Sequence, residues 1–180
     1  MMGTLLGVAV ALQVARRIGA ARAEEESGRL EALLARPVTR LRWLGGHAVL
    51  ALTGGILLLT AMGLAVWLGA AASGSHDIAL ADTLRSTLNA APVVVLIGGL
   101  GVFSFGLVPR LTVAVPVTAT VVAYVASFLG PALSWPAWAL DLSPITHLAL
   151  VPAEPWAVTS GIVMSCLGLA LAAGGLMAFR

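Results

Sequence analysis

An all-α bundle of membrane-spanning helices is the fold class this sequence predicts, and three observations predict it. Hydrophobic residues fill 59% of 180 positions and charged residues 10%, where soluble globular chains carry about 25% charge. Eleven of the charged residues crowd into Arg16–Arg42, leaving too few elsewhere to cover a soluble surface. Four charge-free runs, 43–76, 86–109, 111–140 and 155–179, exceed the roughly 20 residues that cross about 30 Å of hydrocarbon. Mean hydropathy is +1.01. A soluble domain and a disordered chain are both excluded. The single cysteine, Cys166, excludes a disulfide framework. The basic residues are all Arg, and in the cluster they are interleaved with Glu, so the formal charge of +2 marks no nucleic-acid partner. The partner implied by composition is a lipid bilayer.

The first element is a helix over 1–22. Its charge-free part, Met1–Ala15, is short for a full span. It reads as the tail of a helix whose start lies upstream, or as a shallow anchor. It does not read as a signal peptide, because the Arg pair follows the apolar stretch instead of preceding it. Gly3, Gly7, Ala11 and Ala15 recur every four residues, a face that suits close helix–helix or protomer contact. A charged segment over 23–42 follows, then helices over 43–72, 86–108, 112–130 and 157–179. The outer loop, 131–156, contains five of the nine prolines yet stays apolar, which predicts a re-entrant or interfacial hairpin packed against protein.

Orientation follows from Arg, which accumulates in cytoplasmic loops. Residues 16–42 hold seven Arg, Arg110 follows the second long run, and Arg180 ends the chain. The intervening loops hold Asp77, Asp82, Asp141 and Glu154, with Arg85 the one misfit. Trp43 is expected at the inner headgroup level, and Trp135, Trp138 and Trp156 at the outer one. Gly98, Gly99 and Gly101, and the series Ala170, Gly174 and Ala178, read as close-packing positions. Among intramembrane polar residues, Gln13, Asn89, Tyr124 and Ser127 are candidates for lining a substrate path.

Residues 23–40 depart from their surroundings. Leu30, Leu33 and Leu34 form a short apolar stripe at helical spacing. Glu24, Glu25 and Glu26 precede it, the favourable sign for a helix start, and Arg36 lies at its other end. Gly28 permits a bend, and Pro37 ends the helix at Arg36. The product is a two-to-three-turn amphipathic helix that either lies on the anionic inner leaflet or docks into a partner's groove. Four acids oppose an anionic surface, which favours docking.

The pattern Glu24-Glu25-x-x-Gly28-Arg29-x-Glu31-x-Leu33-Leu34-x-x-Pro37-Val38-x-Arg40 resembles the coupling helix of ABC transporter permeases of the type-2 exporter class. The Leu-Ala-Arg-Pro-Val-Thr-Arg wording, Pro109-Arg110 and Leu142-Ser-Pro-Ile-Thr-His147 resemble the polyketide-antibiotic exporter type. The resemblance implies the C-terminal half of a permease membrane domain in the cell membrane. Its partners would be an ABC ATP-binding subunit and a second copy or the missing front half. It also implies export of hydrophobic or amphipathic, antibiotic-like compounds, with ATP and Mg held on the separate subunit and no cofactor in this chain. The alternative class is a non-transport assembly or signalling subunit whose cytoplasmic helix docks another protein.

No catalytic constellation competes with these two readings. There is no Walker-type phosphate loop, so ATP hydrolysis by that route is not expected here. His47, His76 and His147 have no paired His or Cys spacing for a metal. Asp141, Ser143 and His147 supply triad residue types, but crowded into one proline-containing loop.

Overall fold

The computed structural model describes residues 2–26, 40–74, 78–149, 151, 154 and 156–179, and all regular structure among them is helical. The helices are α1 (Met2–Glu26), α2 (Arg40–Ala72), α3 (Leu80–Leu88), α4 (Ala91–Leu107), α5 (Ala114–Ala132), α6 (Ala137–Asp141) and α7 (Val158–Ala178). A 3-10 turn, Pro109–Leu111, joins α4 to α5. Among the described residues, four stretches are long and apolar enough to cross a membrane: Leu41–Ala72, Leu80–Leu107, Pro109–Ala132 and Val158–Ala178.

Two boundaries depart from the sequence reading for physical reasons. Helix α1 runs on through Glu26 instead of ending at 22, because Arg and Glu are good helix formers. The helix expected over 86–108 is two helices that begin earlier, at Leu80. The first piece, α3, is amphipathic: Thr83 and Thr87 are buried, while Asp82 and Arg85 pair at 3.8 Å on its exposed side. Waiting for charge-free sequence misses such a helix. Arg85, the misfit of the charge pattern, is thus a surface residue beside a carboxylate. A break at Asn89–Ala90 separates α3 from α4. Pro92, in the first turn of α4, has no N–H to continue the α3 ladder.

Helix α4 is the hub. Its buried residues include Val93, Val94, Ile97, Gly98, Gly99, Val102 and Phe105, and it packs against α7, α1, α2 and α5. The α4–α7 contact is backbone on backbone. Gly99 faces the Gly168 carbonyl, and seven residues on, Gly106 faces that of Gly175. A methyl group on Gly168 would lie 2.5 Å from the Val95 carbonyl oxygen. The close face is therefore Gly168 and Gly175, at seven-residue spacing. Ala170 and Ala178 of the expected four-residue series are exposed instead. The face on α1 does pack within the chain: Ala11 and Ala15 are fully buried, and Gly7 abuts Ala90.

Contact order fixes direction. Gly99 with Gly168 and Gly106 with Gly175 make α4 and α7 parallel. Gly7 with Ala90, Val14 with Gly98 and Ile18 with Gly101 make α1 parallel to both. Leu52 with Gly98 and Gly63 with Thr87 make α2 antiparallel to α4. One end of the bundle thus gathers the ends of α1, α4 and α7 with the start of α2, carrying Arg42 and Arg110. The other gathers residues 78–90 and the α5–α7 connection.

At the Arg-bearing end, Trp43, Phe105 and Phe179 pack together, with Phe105 and Phe179 edge to face at 5.0 Å. Trp43 is only 9% exposed, so it is a core residue and not a headgroup anchor. Its indole closes the bundle where three helix ends converge. Trp135, Trp138 and Trp156 are exposed at the opposite end.

Candidate functional site

The connection between α5 and α7 folds back along α5. Ser143 is buried, and its Oγ donates to the Ala123 carbonyl at 2.9 Å and meets Ser127 Oγ at 2.8 Å. Ala123 lies nine residues before the end of α5, about 14 Å along the axis at 1.5 Å per residue. Asn89 Nδ2 donates to the Ala149 carbonyl at 2.8 Å, and Trp156 Nε1 to that of Arg85 at 3.3 Å. These bonds staple Ser143 to α5, and Ala149 and Trp156 to the α3–α4 region. His147 Nδ1 meets the Ser143 backbone carbonyl at 3.0 Å. The Ser143 hydroxyl meanwhile serves Ala123, so the triad residue types form no nucleophile–base pair.

Two concavities among the described residues bear on function. The first, about 420 Å³, lies at the stapled end between the α3–α4 junction and α7. Leu88, Pro92, Leu148, Trp156, Ile162 and Met164 line it, with Asn89 and Cys166 at its wall. The second, about 510 Å³, is a groove between α1 and α2. Gln13 and Arg17 face it from α1, His47 from α2, and Leu50, Gly54 and Leu58 continue it along α2.

The four path candidates from the sequence lie in three places. Gln13 is exposed on the α1–α2 groove, and Asn89 borders the cavity at the other end. Tyr124 stacks on Phe128, and Ser127 bonds Ser143 and its own preceding turn. The structure does not bring the four together. Arg17, counted with the charged segment on sequence grounds, is the groove residue that sequence reasoning missed. Its i, i+4 spacing from Gln13 is the signal that could have found it.

Of the residues in the coupling pattern, Glu24 and Glu25 fall in the last turn of α1 and Arg40 opens α2. Gly28, Arg29, Glu31, Leu33, Leu34 and Pro37 lie outside the described residues. The end of α1 and the start of α2, which flank these residues in sequence, lie at the Arg-bearing end. Among the described residues no group of three or more His, Cys, Asp or Glu could hold a metal ion.

Comparison with known proteins fits this architecture. The family model described as "Multidrug efflux system permease Rv1217c, C-terminal domain" matches residues 1–180. The chain is similar to the multidrug efflux system permease protein Rv1217c of Mycobacterium tuberculosis, with 31% identity over 161 residues. That alignment covers 87% of this chain and 29% of the relative, so the chain spans under a third of the relative's length.

Proposed function

The chain belongs to the family of multidrug efflux system permease C-terminal domains, and from that premise we propose that it forms part of the permease of an ATP-driven exporter. In this reading it sits in the cell membrane as a multi-pass protein and helps move hydrophobic or amphipathic compounds, antibiotics among them, out of the cell. The observation that carries the reading is the family match over the whole chain, on a bundle with four helices of membrane length.

Power would come from a separate ABC ATP-binding subunit, which holds ATP and Mg. What supports this finer step is the acidic-Gly-Arg-Glu-Leu-Leu-Pro-Arg pattern between α1 and α2. Both helices grip α4, through Val14 on Gly98 and Leu52 on Gly98. A push on the connection between them would therefore tilt α1 and α2 against the hub as rigid bodies. A second copy, or the rest of the permease, would complete the ring of helices around a path.

Leu33 and Leu34 would supply the docking energy, and Arg29 and Glu31 the orientation. Truncating a buried interface leucine costs on the order of 2 kcal/mol, about a thirtyfold loss of affinity. Leu34→Ala should therefore abolish substrate-stimulated ATPase activity in the reconstituted complex while membrane insertion is retained. Unchanged assembly and stimulation in a Leu33→Ala/Leu34→Ala variant would overturn ATP coupling through this segment.

A further inference from the structure

Arg17 is exposed on the groove between α1 and α2, set back from the end of the bundle. Its neighbour Ile18 packs on Gly101, six residues before the end of α4 at Leu107. At 1.5 Å per residue that is about 9 Å inside the edge of the bundle. His47, on the opposite wall of the groove, lies seven residues into α2, about 10 Å inside by the same rise. The two depths agree. Helical Cα–Cβ bonds tilt toward the helix N-terminus, which for α1 is the far end, so Arg17 starts away from the nearer edge. It makes no hydrogen bond or ion pair among the described residues. An ionisable side chain set back from the end of a helix bundle calls for water or a partner of opposite charge, and Arg17 faces the α1–α2 groove.

The groove has the shape of a two-part ligand. Gln13 lies one turn from Arg17 on the same face, giving amide and guanidinium donors together. Beyond them Leu50, Gly54 and Leu58 offer an apolar track on α2. No neighbour lies within 4 Å of where a Gly54 methyl group would be, so the track is open. The volume, about 510 Å³, falls in the roughly 300–1,000 Å³ range of small-molecule sites.

We propose that the groove between α1 and α2 binds an amphipathic organic anion, its carboxylate or phosphate on Arg17 and Gln13 and its apolar chain along Leu50, Gly54 and Leu58. Planar guanidinium donors match such oxyanions two at a time. The anion has two sources, an exported compound or an anionic phospholipid of the facing leaflet. The exported-compound source rests on the efflux reading; binding itself does not.

Trp43 is a local reporter, because its ring lies 4.8 Å from that of His47. The full chain, with Trp67, Trp135, Trp138 and Trp156 replaced by Phe, is reconstituted in phosphatidylcholine vesicles. Quenching of Trp43 is then measured with 5-doxyl-stearate, above the pKa of the acid, and with its neutral methyl ester. The acid should half-quench at a concentration about tenfold lower than the ester. Arg17→Gln should erase that advantage, Arg17→Lys should keep only part of it, and Arg16→Gln, off the groove, should leave it intact. A weaker effect when phosphatidylglycerol replaces part of the phosphatidylcholine assigns the anion to lipid. Competition by an exported compound, with no effect of phosphatidylglycerol, assigns it to cargo. Equal quenching by acid and ester, or an acid advantage that survives Arg17→Gln, overturns the proposal. The assay contains no ATP, so a chain that quenches as expected but supports no ATP-dependent efflux refutes the efflux reading alone.

Discussion

At Gly99 and Gly168 the two helix backbones touch, and no side chain stands between them. That contact suits a bilayer, where lipid tails are as apolar as leucine and helices gain by packing and close approach. An added methyl at Gly99 would meet the Gly168 carbonyl, which is rigid backbone and cannot step aside. Overpacking of this kind costs about 1–3 kcal/mol. Gly99→Ala should lower the thermal midpoint of the purified protein in detergent. Gly69→Ala, with nothing within 4 Å of the new methyl, should leave the midpoint unchanged or raise it through helix propensity. Equal midpoints for the two variants would mean that α4 and α7 do not meet on this face. Trp43 carries the same lesson: its place among Phe105 and Phe179 follows from three converging helix ends, not from the general preference of indole for headgroups.

Among the elements, the α5–α7 connection depends most on a few polar bonds. Residues 131–138 are exposed, whereas Ser143 and Ile145 are buried against the bundle. The Ser143 hydroxyl donates to Ala123 and accepts from the Ile145 amide. Ser143→Ala removes both bonds and the one to Ser127, and leaves the Ile145 N–H without this acceptor, while Ser127 still serves Ala123. The expected loss is about 1 kcal/mol, too little to unfold the bundle and enough to loosen this segment. Hydrogen exchange of amides 140–148 should speed up severalfold, with α4 and α7 unaffected. Uniform exchange changes across the bundle, or none at all, would contradict the staple.

For the whole molecule, the direction of every long helix follows from which residues touch. Residues 73 and 141 then share one end, and 111 lies at the other. Arg42 and Arg110 at the second end predict, by the positive-inside preference, that this end faces the cytoplasm. In a Cys166→Ser background, Ser73→Cys and Asp141→Cys should react with an impermeant maleimide added outside cells. Leu111→Cys should react only after permeabilisation. Labelling of residue 111 from outside, or of 73 and 141 from opposite sides, would break the arrangement. The exposed groove between α1 and α2 is a property of this same arrangement, since it exists only because α1 packs parallel to α4 beside α2.

The amino-acid sequence by itself determined the helical class, the number of membrane-length stretches and the Arg-marked end. Each of these depends on composition along the chain: a bilayer demands about 20 apolar residues per crossing, and charge settles in the loops. Only the tertiary structure decided which faces meet. In water an apolar stripe against a polar face tells which side is buried. In α2, α4 and α7 nearly every face is apolar, because lipid and protein neighbours are matched in polarity, so the pattern holds no contrast to read. The choice of Gly168 and Gly175 over Ala170 and Ala178, and of Trp43 as core, therefore depended on the neighbouring helix. Arg17 was legible as a charge and not as a groove residue, because its depth is set by the packing of Ile18 on Gly101, a contact between residues far apart in the chain.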